Sequence, residues 1–459
     1  MTSVQNRRLQ LSGNKFKAIL IALTVILISS CGGTKRVSRP DQKVMTPTVK
    51  DNDKSVKKGS SAIDTIFWTE VDRTRDYDKR IEDIDLEKRD SYKVSLLIPF
   101  EVAGSREDDY HDPDSKLGRM IQYYSGLKLA LTQLETENIN LDVEVFDAES
   151  GNFDQKLQKS RNADVIIGPR NRDQLSITAN YGKNNEIPVI SPWLSSSSVA
   201  KDNPFYIQLI PSVRDHYARI VEHVKNKYQD EQVFLLGRKK NKDLASMRYI
   251  QRLAAAMNND NNDRPFNEFY VDEDSLRVGE EAFDNIFFED TTSVFILPNY
   301  SFSEDEDFVY NCVRKMSGEK GLKDVVVYGM PILLESDKIK FEHYANLNMH
   351  ICRSSYVDRE DPMIREFKAL YFENYNDFPT EEAYKGYDMM MYVGRNMFNY
   401  GKRFHYFLDK YESSLLQTVF NVQKVFRDDG ASDDFSEIQY HQNKHLYILA
   451  FKDYHFRKE

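Results

Sequence analysis

Two short basic loops carry the most suggestive chemistry in this chain of 459 residues. Arg170, Asn171 and Arg172 follow a Gly168-Pro169 turn, and Arg238-Lys239-Lys240-Asn241-Lys242 follows the apolar run QVFLLG. A guanidinium is a planar fork of donors that meets carboxylate or phosphate with two parallel hydrogen bonds. Arg170, Arg172 and Arg238 are therefore candidate anion ligands, with solvated loop charge as the plain alternative. Trp193 and the run SSSS, beginning at Ser195 and Ser196, follow Ser191-Pro192. Hydroxyl and backbone groups there can hold a polar ligand at a helix start, or simply cap a turn. Trp193 can stack on a ligand or partner, or pack under its own loop. Tyr300, after Pro298-Asn299, and Pro331, after Gly329, stand at two further strand ends.

Catalytic spacing is missing. No G-x-S-x-G elbow, Walker loop, G-x-G-x-x-G or H-E-x-x-H occurs. His441 and His445 are four apart, but HQNKH lacks the acidic residue that a zinc protease needs. Glu107, Asp108, Asp109, Asp112 and Asp114 crowd one polar loop without the calcium-loop spacing and its glycine. The expectation is a protein that is not an enzyme and uses no metal or cofactor.

The loops sit where strands should end. Residues 163–168 (ADVIIG) are apolar and rich in β-branched side chains, as a strand buried on both faces requires. Leu175, Ile177 and Ala179 lie in a helix-length segment that Gly182 is placed to stop, and 187–192 (IPVISP) is a second buried strand. Two strands joined by one helix imply parallel pairing and a right-handed crossover. Open parallel sheets take ligands beyond the carboxyl ends of their strands. Before this unit come strand 92–100, polar loop 101–117, helix 119–137, strand 141–146 and short helix 152–161. Strand 205–211 and a helix capped by Ser212 follow it. The grammar then restarts: strand 232–237, helix 243–257, strand 266–271, helix 279–288, strand 293–298, helix 303–316 with a Ser303/Glu306 capping box, and strand 324–329. Residues 349–357 read as extended, 362–375 and 380–398 as helices, and 445–451 as a strand. The fold class is α/β, two doubly wound, Rossmann-like lobes.

The first residues have the three parts of an export signal in order. Arg7, Arg8, Lys15 and Lys17 precede an apolar stretch, 18–30, that is short for a membrane span. Ile28-Ser29-Ser30-Cys31 resembles the lipobox of bacterial lipoproteins, which implies cleavage before Cys31 and lipid on that residue. Removing 1–30 takes away four Lys/Arg and no Asp/Glu, moving the net charge from −10 to −14. An acidic exported chain is a poor nucleic-acid binder. The lipobox resemblance implies outer-membrane sorting from Gly32, and the basic rather than acidic GGTKR after Cys31 implies the periplasmic face. Residues 31–60 read as a polar tether, and 61–91 as an arm or linker with an apolar patch at 64–68. Cys312 and Cys352 remain, as two buried thiols or a disulfide.

Three stretches carry a wider likeness: VIIGPRNRDQL followed by NEIPVISP, YIQLIPSVRDHYARIVEHV, and FENYNDFPTEEAYKGYDMMMYV. They resemble the type I periplasmic-binding fold, and within it the branched-chain amino-acid substrate-binding proteins of ABC importers, over about 92–397. The resemblance implies a central cleft and three crossings between lobes. Lobe one would hold 92–211 plus 358–423, and lobe two 212–357 plus 424–459. Arg170, Arg172 and Arg238 would then face the cleft from both sides, the first two where that family usually places small hydroxyl residues and Arg238 where it usually has a D-x-x-x-Y/G loop. The implied function is a lipid-anchored envelope protein holding a small polar or anionic ligand, such as an amino acid, peptide or cell-wall fragment. The same fold also serves lipoproteins that act on an envelope protein such as a peptidoglycan synthase, and that reading stays open.

Overall fold

The computed structural model describes residues 69–70, 86–100, 106–110, 112–196, 199, 201–257, 264–277, 279–426 and 438–459. The expected export signal, Cys31, the tether, the apolar patch at 64–68 and Ser197–Ser198 lie outside the described residues.

Strand β1 (Thr69–Glu70) is followed by β2 (Tyr92–Ile98), α1 (Lys116–Thr136), β3 (Leu141–Asp147), α2 (Phe153–Lys159) and β4 (Val165–Ile167). Helix α3 (Arg172–Asn185), β5 (Val189–Ser191) and β6 (Tyr206–Gln208) complete the first series. Strands β4 and β5 pair in parallel across α3, so the expected β-α-β unit is present. Every residue of β4, β5 and β6 is buried, which is why these strands read as apolar runs without alternation. Gly182 does not stop α3. The helix runs on to Asn185 and ends at Glu186 in the left-handed region. Gly182 instead lets the helix press on β5, since a Cβ there would stand 2.3 Å from Val189 Cγ2.

The second series is α4 (Val213–Lys227), β7 (Val233–Gly237), α5 (Asn241–Ala256), β8 (Asn267–Tyr270), β9 (Ser293–Leu297), α6 (Phe302–Glu319) and β10 (Val325–Gly329). Helices α7 (Ile332–Glu335) and α8 (Phe341–Asn346) and strand β11 (His350–Arg353) follow. Ser212 caps α4 through a reciprocal box with Asp215, as expected. Two expectations fail. Residues 279–288 hold only a short 3-10 turn, Asp284–Ile286. Helix α6 opens at Ser301 rather than Ser303, and Glu306 is engaged by Ser336 and Lys338 instead of a cap.

The chain returns through α9 (Pro362–Tyr375) and α10 (Glu381–Tyr400), then β12 (Tyr411–Ser414), β13 (Val419–Phe420), β14 (Val422–Phe426), β15 (Ile438–Asn443), β16 (Tyr447–Lys452) and β17 (His455–Lys458). Two sheets of seven strands result, ordered β14-β15-β6-β5-β4-β2-β3 and β17-β16-β11-β10-β9-β7-β8. Each has a parallel centre and an antiparallel edge. This corrects the boundary expected at 423/424. Strands β14 and β15 belong to lobe one, because β15 pairs in parallel with β6, and the third crossing falls between Asn443 and Tyr447. The arm contributes β1, which pairs antiparallel with β12.

Helix α10 lies against α1 at backbone distance. A Cβ on Gly126 would sit 1.8 Å from the Ala383 carbonyl oxygen, and one on Gly386 1.9 Å from that of Tyr123. The GYD of the sequence is thus a packing requirement at its glycine. Cys312 and Cys352 are buried free thiols.

Two buried histidines sit where β15 meets the 3-10 turn Gly401–Phe407. His405 is wholly enclosed, with both ring nitrogens unpartnered and Phe205 and His441 at 5.1 and 6.0 Å between centroids. Burial, then His441, Arg403 and Lys424, hold His405 well below its usual value. Burial and Lys424 hold His441 at about 4, against Asp409 and the Pro204 carbonyl. A depressed histidine gives stability that is complete above about pH 6.5 and lost as pH falls through its folded value. His405→Leu should therefore gain about 1–2 kcal/mol at pH 7.5, because two orphan nitrogens leave the core. Urea unfolding should also show a shallower loss between pH 6.5 and 4 than in the parent chain.

Candidate ligand-binding site

On lobe two the carboxyl ends of β7 and β9 are closed by ions. Arg238 is 6% exposed. Its Nε and Nη2 donate to Asp243 at 2.8 and 3.0 Å, its backbone N–H to Asp243 at 2.9 Å, and Nη2 also to Asp305. Lys242 reaches Asp305 at 3.2 Å and Glu304 at 2.7 Å and covers the Tyr300 ring at 4.5 Å. Burial pushes the Asp305 carboxyl up, but Arg238 and Lys242 outweigh it and the group sits below the usual range. Asp243 lies below its usual value through the same contest with Arg238. Arg238, expected as a candidate ligand group, has its charge matched by two buried carboxylates in the structure. Tyr300 is exposed and lies under Lys242.

Lobe one is different. Asn171 caps α3, its Oδ1 accepting from Asp173 and Gln174 N–H groups. Arg170 and Arg172 are exposed beside it. The serine loop is pinned by Gln208 at the end of β6. Its Oε1 accepts from Ser196 N–H at 3.0 Å, and its Nε2 donates to Ser195 Oγ at 3.1 Å. Ser195 keeps a hydroxyl proton to give. Trp193 lies across the turn after β4, with its ring 4.9 Å from that of Tyr123 on α1. Gly168, at φ +89°, allows this crossing: a Cβ there would meet the Leu97 carbonyl at 2.3 Å and the Trp193 ring at 3.2 Å.

Both rings carry a polar atom with no partner among the described residues. Trp193 Nε1 and Tyr123 Oη are buried without a partner. So are Arg119 Nε, one helical turn before Tyr123, and Glu382 Oε2 on α10. Burial first, and then the Glu382 charge, push the Tyr123 hydroxyl well up, so it remains a donor. The sequence pointed to Trp193 but not to Tyr123, Arg119 or Glu382. Their helical spacing marks a core face, and only the α1–α10 contact brings Glu382 to Tyr123. Among the residues expected at the rim, the structure places Trp193, Ser195 and Ser196 together on lobe one. Arg238 and Tyr300 form a separate, internally paired group on lobe two.

The lobes are joined by three crossings, of which the first and third are tied to each other. Asp215, at the first, accepts Gln442 Nε2 at 2.6 Å and Lys444 Nζ at 2.7 Å from the third. The second crossing is bridged to a turn of lobe one, with Tyr356 N–H on the Gln417 carbonyl at 2.9 Å and Ser355 paired with Thr418. Asp388, wholly buried on α10, holds that turn by accepting the N–H groups of Leu416, Gln417 and Thr418, each at 2.9 Å.

Two parallel-centred sheets, three crossings and loops at the strand ends match known folds. A family model described as the receptor family ligand binding region matches residues 124–256. A branched-chain amino-acid ABC transporter protein of Rhodospirillum rubrum superposes with TM-score 0.54 at 13% identity, over 80% of this chain and all of that one. The chain has the type I periplasmic-binding fold. A substrate-binding protein of Desulfitobacterium hafniense in complex with Leu gives TM-score 0.50 at 12% identity, over 80% of this chain and 100% of that one. Full-length LpoA of Haemophilus influenzae gives 0.53 at 10% identity, over 84% of this chain and 62% of that one. No curated protein sequence matches the chain. Within this type I fold, the matched stretch 124–256 carries the Trp193 loop and, from the lobe-two network, Arg238, Lys242 and Asp243. Among the described residues no helix is long and apolar enough to cross a membrane.

Proposed function

We propose that this chain is a non-catalytic binding protein of the bacterial cell envelope, held by lipid on Cys31, that takes a small polar solute against the lobe-one wall around Trp193. One observation carries the reading: Trp193 Nε1 and Tyr123 Oη lie buried in ring contact near the carboxyl ends of β4 and β5, with no partner among the described residues. An orphan buried polar group costs about 1–3 kcal/mol, and such groups persist where something else completes them. The indole N–H and Arg119 Nε only donate, so the solute brings an acceptor such as a carboxylate. Glu382 Oε2 accepts, so the same solute carries a donor. An amphoteric solute fits better than a purely anionic one, because the lobe-two cations Arg238 and Lys242 are already paired. The Leu held by the Desulfitobacterium hafniense protein is a solute of this kind. Closure would proceed by hinge motion over the three crossings.

The chain has two tryptophans, Trp68 and Trp193, so Trp68→Phe makes Trp193 the sole indole reporter. Titration with amino acids, short peptides and muropeptide fragments should give a saturable fluorescence change for one class. The same solute at 100 times its Kd should stabilise the protein by about 2.7 kcal/mol. Tyr123→Phe should weaken that binding about tenfold while raising the stability of the free protein, since an orphan hydroxyl is removed. A panel that moves neither fluorescence nor Tm would sink the proposal.

A further inference from the structure

A second concavity lies on lobe one, between α1 and the carboxyl end of α9. It has a volume of about 510 Å3, within the range of ligand and peptide sites. Tyr110, Gln122, Tyr371, Tyr375, Asn376 and Asp377 line it. The walls are held rigid from behind. Tyr371 O–H donates to Gln122 Oε1 at 2.8 Å, Gln122 Nε2 to Asp377 Oδ2 at 2.9 Å, and Tyr375 O–H to the Ser125 carbonyl at 3.1 Å. Tyr371 and Tyr375, with ring centroids 4.8 Å apart, are thus fixed along one groove, and exposed Tyr110 lines it as well.

Charge and exposure narrow what the groove takes. Among the described residues that line it there is no Lys, Arg or His, and the carboxylate is Asp377. Asp108, Asp112 and Asp114 stand exposed on the loop that supplies Tyr110 and Pro113. Phe378, next in the chain to Asp377, is paired with Phe372 at 5.4 Å, and the two rings are 69% and 45% exposed. A small amine would leave those rings uncovered, whereas a chain segment running out of the groove would cover them. Rigid tyrosine-lined grooves suit extended, proline-containing segments, whose ordering entropy is low. An acidic border selects basic side chains beside the prolines.

We infer that this groove docks an extended, basic, proline-containing segment of a partner protein, at a surface separate from the lobe-one wall around Trp193. The inference goes beyond the solute-binding reading and does not depend on it. The probe is a fluorescein-labelled ten-residue peptide of alternating Lys and Pro, followed by anisotropy against the full chain. Controls are the alternating Glu-Pro peptide and acetyl-lysine amide as competitor. The Lys-Pro peptide should bind saturably and weaken at least fivefold in Tyr110→Ala and in Asp377→Asn, with Trp193 fluorescence unchanged. Tyr110 is exposed, so its loss leaves the fold intact, as circular dichroism would verify. Absence of binding would overturn the inference. So would equal binding to both variants, which marks a diffuse charge effect, or full competition by acetyl-lysine amide at equal concentration, which marks a small-amine site.

Discussion

Arg238→Met should lower the unfolding free energy by about 3–5 kcal/mol, the cost of leaving buried carboxylates without their cation. The two carboxylates concerned, Asp243 and Asp305, have side chains only 1% exposed. Arg238 gives them three side-chain hydrogen bonds and lies 4.4 Å from the Phe308 ring centroid. Met replaces most of the aliphatic stem, so the loss reports charge rather than volume. Adding Asp243→Asn and Asp305→Asn to the Met variant should recover part of the loss, because neutral groups of the same shape are cheaper to bury unpaired. Both carboxyls are held below their ordinary values, so the stability they lend is present above about pH 3.8 and lost as pH falls beneath it. Urea titrations at pH 7.5 and 3 measure all three. A Met variant with unaltered stability that no longer binds a solute would return Arg238 to the role its loop suggests.

Asp388→Asn should cost about 2–4 kcal/mol. Three backbone N–H groups converge on this carboxylate, and an amide presents an N–H where a lone pair is needed, leaving buried donors unpaired. The turn it holds anchors the second crossing through Tyr356 and Ser355, so the variant should also show faster amide exchange at 355–357 and 416–418. Burial outweighs the three N–H bonds and raises the carboxyl from 3.8 to about 7. A raised folded value means a contribution complete below about pH 3.8 and declining as pH rises through about 7. The deficit of the Asn variant should therefore be larger at pH 5 than at pH 8. Equal deficits would show that the carboxyl does not titrate in this range.

Particular residues show how far the sequence reached. The runs at β4, β5, β7, β9 and β10 were legible because a strand buried on both faces is apolar at every position, whatever its neighbours. Ser212 was legible because its capping partner, Asp215, is three residues away. Ser303 misled for the converse reason. The spacing to Glu306 was right, but Ser336 and Lys338, about thirty residues on, claimed that carboxylate. Gly182 misled because its missing side chain serves contact with β5 rather than a helix end.

By itself, then, the sequence determined the α/β class, the two series of strands and helices, and the loops at their carboxyl ends. Each follows from local periodicity and short-range caps. Tertiary structure alone decided which of those loops has its charge paired. The charge of Arg238 is matched in part by Asp305, sixty-seven residues further on, and Trp193 and Tyr123 become partnerless only when two distant segments exclude water together. It also placed β14 and β15 in lobe one, because a strand joins whichever sheet edge offers its hydrogen bonds. Pairing and desolvation depend on what folding brings near, and sequence spacing does not carry that information.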